Sequence, residues 1–391
     1  VNAVRILSAI TSIKTAVIKK HQVIIIGAGI VGLAIARSHA TRGHKVTIFE
    51  REDRTNGATI RNFGLYWPMG QPLGPRFNRA VVSGKIWREL ANEAGVEMNN
   101  TGSLTLARSE LEFRVMREFV TYFGNGLEAI KAEEACRISS AARPNGLVGA
   151  LYSPLECTVN PRQAAPAIVS WLKKSAGVTF HFGMVVTKVE SGAVTLADGT
   201  RHEADQVYVC SGGDLRTLFP QELSAAGVTV CKLQMLRTAT QPDGWKLGPA
   251  LCAGLTLGHY DAFNACASLP ELKKHFESTR VEETKWGVHV LVSQNGDGGL
   301  TLGDTHEYGA THDPFQRTSH DEIVLSYLNE FAKIPEMQIT ERWIGLYPKI
   351  PGKSELVLKP MPRVTLVNAL SGAGMTLSFG LAEELVGEVA S

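Results

Sequence analysis

Three glycines, Gly27, Gly29 and Gly32, stand at the spacing G-x-G-x-x-G, and an acid, Glu50, follows eighteen residues after the last of them. These residues could bind a dinucleotide. Gly27 permits a tight turn, Gly29 leaves room for a pyrophosphate against the backbone, and Gly32 lets a helix lie close to a strand. The amides of Ile30 and Val31, at the start of that helix, would face the phosphates. Glu50 falls where a carboxylate reaches adenosine ribose hydroxyls, and Arg51 adjoins it. The elements that must position these residues are present in order. Val23 to Ile26 reads as a strand buried on both faces, Ala34 to Ala36 lie in a helix that stops near Gly43, and Lys45 to Phe49 reads as the second strand. An ADP moiety is therefore expected here, and the spacing alone does not separate FAD from NAD.

The six cysteines, Cys136, Cys157, Cys210, Cys231, Cys252 and Cys266, show no C-x-x-C pair and no metal-ligand spacing with histidine. No metal is expected, and buried thiols in a reducing, cytoplasmic setting are. A chain of 391 residues with 44% hydrophobic and 20% charged residues can bury a large core, which excludes general disorder. The net charge is +2 and the cations are scattered, so nucleic acid is not an expected partner. No run of eighteen apolar residues marks a membrane span. Residues 1–20 carry Arg5, Lys14, Lys19 and Lys20 and no acid. They resemble a transit peptide or short anchor, and an extension ahead of the first strand is the reading preferred.

No repeat or linker divides the chain, so two interleaved, discontinuous domains are expected. Helices are expected over residues 83–95, 109–123, beyond Pro161 and over 319–332, with a strand at 102–107. Val178 to Phe182, Val185 to Val189 and Ala204 to Cys210 read as strands, with an Asp198-Gly199 turn before the last. From Gly227 onward the segments VTVCKLQMLRTAT, ALCAGLTLGHYDAF and GVHVLVSQNGDGGLTLGDTHEYG read as an antiparallel sheet. Near the C-terminus a strand, Val364 to Ala369, a glycine turn and a helix repeat the opening logic.

This order resembles the D-amino acid oxidase and glycine/sarcosine oxidase superfamily of FAD enzymes from residue 21 onward. The resemblance is carried by the opening unit, by Val159-Asn160-Pro161-Arg162, by VYVCSGGD and by NALSGAGMTLSFGLAEEL. The motifs ATIRNFGLYWPMGQ, CKLQMLRT, GLTLGHYDAF and GDTHEYG resemble a subfamily proposed to oxidise aminophosphonates. The fold implied is α/β, a Rossmann-like FAD-binding domain of the glutathione-reductase type with an interleaved α+β substrate domain built on an antiparallel sheet. Its expected extents are 21–90, 150–225 and 340–391 for the FAD-binding domain, and 91–149 and 226–339 for the substrate domain. The resemblance implies non-covalent FAD, oxidation of a C–N bond of a small-molecule amine by hydride transfer, imine hydrolysis, and O2 as electron acceptor giving H2O2. A dehydrogenase passing electrons to a quinone or carrier is the alternative, and oligomeric state stays open. Flavin contacts implied beyond the opening unit are Arg61, Asn62, Val186, Ser211, Gly212, Gly372, Gly374, Met375 and Thr376.

Three departures bear on substrate. Where many relatives read W-x-G-x-R-P, this chain has Trp343, Gly345, Tyr347 and Pro348, so Tyr347 stands in place of the arginine that clamps a carboxylate. Thr376 occupies the position of a lysine in sarcosine-oxidising relatives, and no cysteine stands near Gly345 for a covalent flavin link. A simple α-amino acid is disfavoured, and a dianionic phosphonate would need other donors. Candidates are Arg61, Lys232, Arg237, Arg342 and Lys349, with His306 and Tyr308 of the GDTHEYG segment binding phosphonate or amine. His259 and Tyr260 read as packing residues, as do Trp67 and Trp343.

Overall fold

The computed structural model describes residues 20–390. Apart from Lys20, the extension expected at the N-terminus lies outside the described residues. The chain opens with β1 (Gln22–Ile26), α1 (Ile30–Thr41) and β2 (Lys45–Glu50), and then α2 (Pro75–Ala94). It crosses into a second layer for β3 (Ser103–Ala107), α3 (Glu110–Phe123), β4 (Glu128–Lys131) and β5 (Gly149–Ser153). A return supplies α4 (Pro161–Ser175), β6 (Thr179–Phe182) and β7 (Gln206–Val209). The second layer is then completed by β8 (Thr229–Thr240), β9 (Ala250–Ala253), β10 (Leu291–Gln294), β11 (Gly299–Gly303), β12 (Glu307–Gly309), α5 (Thr318–Phe331) and β13 (Ile339–Lys349). Finally β14 (Leu356–Met361), β15 (Val364–Asn368) and α6 (Gly374–Ala390) close the first layer.

The first layer is a six-stranded sheet in the order β14-β15-β7-β1-β2-β6, parallel except for the edge strand β14. Its centre is buried on both sides, as the unbroken β-branched run of β1 requires. Val23 and Ile25 pack with the cluster formed by α1, α2, α4 and α6. Ile24 and Ile26 face a cluster built with a small antiparallel sheet of Val186–Glu190, Ala193–Leu196 and Arg201–Glu203. The second layer is a nine-stranded sheet, β12-β8-β11-β10-β9-β3-β5-β4 with β13 on the other side of β8, antiparallel apart from the β9–β3 pair. This is the interleaved α/β architecture expected from the sequence.

Sheet membership moves two expected borders. β5 pairs with β3 and β4, and β13 pairs with β8 along nearly its whole length, so both strands belong to the antiparallel layer rather than to segments starting at 150 and 340. The segment ALCAGLTLGHYDAF is strand only at β9; Leu255–His259 is a helical turn and Asp261–Ala265 a 3-10 turn. Tertiary pairing overrides the local β preference here. The Leu255 amide donates to the Tyr327 hydroxyl at 3.1 Å, and the Thr256 hydroxyl donates to the His289 carbonyl at 2.8 Å. Helix ends follow local chemistry: Ser109 accepts from the Glu112 amide, Asn160 accepts from the Arg162 amide ahead of Pro161, and Gly95 ends α2 in the left-handed region.

Glu156, 1% exposed, ties the second layer to the loop carrying Met69. One carboxyl oxygen accepts from the Met69 amide at 3.1 Å and the other from the Ser103 hydroxyl at 2.9 Å, while burial pushes its pKa up to about 7. The folded state therefore holds a proton that the unfolded chain releases above its ordinary glutamate pKa. Stability should fall by about 3 kcal/mol as pH rises from roughly 4.5 to 7 through this group. Urea unfolding at pH 5 and pH 8 should show that part of the slope removed in Glu156→Gln, and an unchanged slope would contradict it.

Candidate active site

At the C-terminal end of β1 the backbone turns through Gly27, whose φ is +104°, and a Cβ there would lie 2.3 Å from the Cys210 carbonyl oxygen. Gly32 serves packing alone: a Cβ would fall 2.0 Å from the Gly27 oxygen, and Gly32 does not border the cleft that opens beyond the turn. Gly29, Ile30 and Val31 line that cleft. The first amides of α1 have no intrahelical acceptor, and the Ile30 amide donates to the Thr59 hydroxyl at 2.8 Å. Glu50 ends β2 in the cleft wall, its carboxylate accepting from the Ala28 amide at 2.7 Å and the Glu52 amide at 3.1 Å. Arg51 pairs with Asp214 across the same wall.

The other expected contacts converge on this cleft from distant segments. Arg61, Asn62, Val186, Ser211, Gly212, Gly372, Gly374 and Met375 all line it. Asn62 also locks its own turn, accepting from the Gly64 amide at 2.6 Å and donating to the Ala58 and Thr59 carbonyls. The Asn368 side chain donates to the Gly212 carbonyl at 3.2 Å and so joins the ends of β7 and β15. Thr376 is placed elsewhere. It is 2% exposed, its hydroxyl accepts from the Trp67 amide at 2.9 Å, and it sits in the first turn of α6 outside the lining. The sequence reading missed Thr55, Thr59 and Leu233, which also border the cleft. A loop threonine that reaches a helix start twenty-nine residues earlier leaves no local signature.

The cleft runs from the start of α1 to the antiparallel layer at Leu233, Gly345 and Tyr347, with an empty volume of about 1700 Å3, open solvent at its mouth included. Helix-start amides, an anchored acid and an elongated cleft fit an ADP-containing cofactor. Residues Gly27, Gly29 and Glu50 would hold its ribose and phosphate side, and the end bordered by Tyr347 would take its redox ring.

At that inner end, register decides which side chains meet. β8 lies between β12 and β13, and Cys231 pairs with Tyr308 on one side and Tyr347 on the other. These three share a sheet face. Lys349, two residues beyond Tyr347, lies with its ammonium 3.2 Å from the Tyr308 hydroxyl and 4.9 Å from the ring centre. Lys232, one residue from Cys231, points to the opposite face, 1% exposed, where it pairs with Glu307 at 3.1 Å and donates to the Phe315 carbonyl. That position does not suit a substrate clamp. Arg237 is also withdrawn: it pairs with Asp297 and donates to the Thr301 hydroxyl at 3.1 Å, away from the cleft lining. Arg342 pairs with Asp321 at 2.8 Å. Arg237→Ala should accordingly leave KM unchanged and lower stability by about 1–2 kcal/mol, measured by substrate titration beside thermal unfolding. A raised KM with unchanged stability would reverse this placement.

His306 adjoins the tyrosine row, its ring centre 6.4 Å from that of Tyr308. It is buried, and its Nδ1 lies 2.8 Å from the Gly287 carbonyl oxygen. His259 and His289 stack at 3.7 Å, and their ring centres lie 4.8 and 5.1 Å from that of His306. Burial lowers the pKa of all three, His306 to about 4. Burial raises Asp304 to about 8 and Cys231 to about 12, and moves Tyr308 and Tyr347 upward. At neutral pH the face is a set of uncharged polar groups with Lys349 as a cation at its edge. The sequence reading ranked His259 as packing; the structure brings it together with His289, which it did not single out, and His306.

A parallel sheet with a glycine turn opening into a cleft, roofed by an antiparallel sheet bearing polar side chains, defines a dinucleotide-dependent oxidoreductase of the flavoenzyme class. A family model described as FAD dependent oxidoreductase matches residues 22–387, and the chain belongs to that family. Among curated relatives, glycine oxidase of Bacillus licheniformis is 24% identical over 345 residues, covering 85% of this chain and 82% of that one. Glycine oxidase of Geobacillus kaustophilus (strain HTA426) is 26% identical over 208 residues, covering 49% of this chain and 55% of its own. Two solved structures share the fold. L-proline dehydrogenase from P. horikoshii aligns with a TM-score of 0.76 at 20% identity, over 95% of this chain and 94% of that one. Glycine oxidase from Bacillus cereus ATCC 14579 aligns at 0.74 and 16%, over 95% of each. The protein is an FAD-dependent oxidoreductase. Among the described residues no helix is long and apolar enough to cross a membrane.

Proposed function

We propose that the protein oxidises the C–N bond of a small amine bearing an anionic group, an aminophosphonate related to 2-aminoethylphosphonate, with O2 as the final electron acceptor. The observation that carries this reading is that Tyr347 borders the inner end of the cleft without an arginine at that register, with the Lys349–Tyr308 pair on the adjoining sheet face. FAD, held non-covalently, supplies the two-electron acceptor for the hydride. Lys349 offers a point charge and Tyr308 a hydroxyl donor to phosphonate oxygens. Tyr347, buried and with its phenol kept protonated, adds a neutral donor beside them. Removal from water disfavours a charged ammonium, so the substrate nitrogen is held neutral before its carbon gives up hydride. The resulting imine takes up water and releases ammonia or an amine, while two electrons and two protons convert O2 to H2O2.

The test is peroxide release together with anaerobic flavin bleaching, using 2-aminoethylphosphonate and its N-alkylated analogues beside glycine, sarcosine and proline. Turnover of phosphonates above the amino acids is expected. Robust glycine turnover with none of the phosphonates overturns the substrate, and bleaching without peroxide in air assigns the electrons to a carrier instead.

A further inference from the structure

We infer that His259, His289 and His306 form a site for a divalent transition-metal ion of the zinc class, which flavin chemistry does not require. The three come from separate places: the end of the turn Leu255–His259, the residues before β10, and the loop between β11 and β12. One ligand nitrogen from each lies within 4.8 Å of the others. Zinc–nitrogen bonds of about 2.0–2.1 Å put tetrahedral ligands about 3.4 Å apart, so side-chain shifts on the order of 1 Å would close the set.

What separates this cluster from ordinary packing is how the far nitrogens are held. A metal-bound histidine hands its other ring N–H to a carbonyl or carboxylate, which fixes the tautomer. His306 has its Nδ1 on the Gly287 carbonyl oxygen at 2.8 Å, leaving Nε2 to ligate. His289 has its Nε2 3.5 Å from Asp304 Oδ1, while its Nδ1 is buried without a hydrogen-bond partner among the described residues. The side chain is 4% exposed. Asp304 Oδ1 is likewise buried without a hydrogen-bond partner among the described residues, so an unpartnered imidazole nitrogen and an unpartnered carboxyl lie together at the cluster, and a bound ion would give both a role.

Three imidazoles suit zinc, iron, nickel or copper rather than calcium or magnesium, and a three-ligand set leaves a fourth position open. That position would take an oxygen of the phosphonate, giving a dianion a second positive charge beside Lys349. This role rests on the proposed function; the metal site does not.

The experiment uses tag-free, FAD-loaded protein stripped with a chelator and then equilibrated with Zn2+, with metal content and affinity read by elemental analysis and competition against a chromophoric chelator. One zinc per chain is expected. Asp304→Asn should weaken it by about 10- to 100-fold, His289→Ala and His259→Asn by more, and His275→Ala, on an exposed helix face, not at all. Zinc well below one per chain in the wild type, or undiminished affinity in His289→Ala and His259→Asn chains that retain FAD, overturns the site. One zinc per chain with no effect of stripping on the KM for phosphonates keeps the site and rejects its role. If no phosphonate is turned over, the zinc stoichiometry still decides the site.

Discussion

Gly27→Ala is expected to yield protein that purifies without flavin colour and unfolds at a lower temperature. The φ of +104° already excludes most L side chains, and the added Cβ would sit 2.3 Å from the Cys210 carbonyl oxygen, a backbone atom. Cys210 cannot easily yield, because its amide donates to the Ile26 carbonyl at 2.8 Å and the β1–β7 register holds the strands together. The clash and the backbone strain together should cost about 3 kcal/mol or more. Displacement of the α1 amides should weaken FAD retention by at least about 100-fold, read from the flavin-to-protein absorbance ratio. Gly29→Ala supplies the contrast: its Cβ would meet only the Thr59 hydroxyl at 3.3 Å, which can give by a few tenths of an ångström. That variant should keep its stability and lose cofactor affinity alone. Full flavin occupancy in Gly27→Ala would mean that the turn does not shape the cofactor site.

The second large effect is on substrate capture. Lys349→Met should lower kcat/KM for an anionic amine by about 30- to 100-fold, mostly through KM, as loss of a charge-assisted contact of about 2–3 kcal/mol predicts. Lys232→Met should behave differently although it lies in the neighbouring strand. Its ammonium is 1% exposed on the far face and paired with Glu307, so removing it leaves a half-buried carboxylate without its partner. Stability should fall by about 2–3 kcal/mol with KM unchanged. Steady-state kinetics and urea unfolding on both variants separate the two lysines. Equal kinetic losses would return Lys232 to the candidate site, and an unaffected Lys349→Met would remove the anion anchor.

The cofactor half of the protein was legible in the sequence because its constraints are local. A glycine is required where φ is positive or a backbone must pass closely, and Gly27 and Gly32 carry those requirements in a run that also contains the strand and helix they join. Gly212, with a φ of +55°, meets the first of these requirements, whereas Gly372 and Gly374 meet neither and were found through the resemblance of their segment to a family motif. Domain borders were less legible: β5 and β13 are apolar strands like their neighbours, and only their pairing partners assign them to the second layer.

The sequence by itself determined the dinucleotide turn, the helix and strands that serve it, and the absence of an arginine at Tyr347. Tertiary structure alone decided which of the two lysines lies beside the tyrosine row. Side chains alternate along a strand, so a shift of one position separates Cys231, in the tyrosine row, from Lys232 on the back of the sheet. It also decided that His259, His289 and His306 meet, since residues up to forty-seven positions apart, with no repeating interval, come together only when the turn after β9, the approach to β10 and the loop after β11 are stacked by the sheet. Local rules act through the backbone and can be read along the chain. Register and strand order act through pairing energies between distant segments, and those are settled only in the folded molecule.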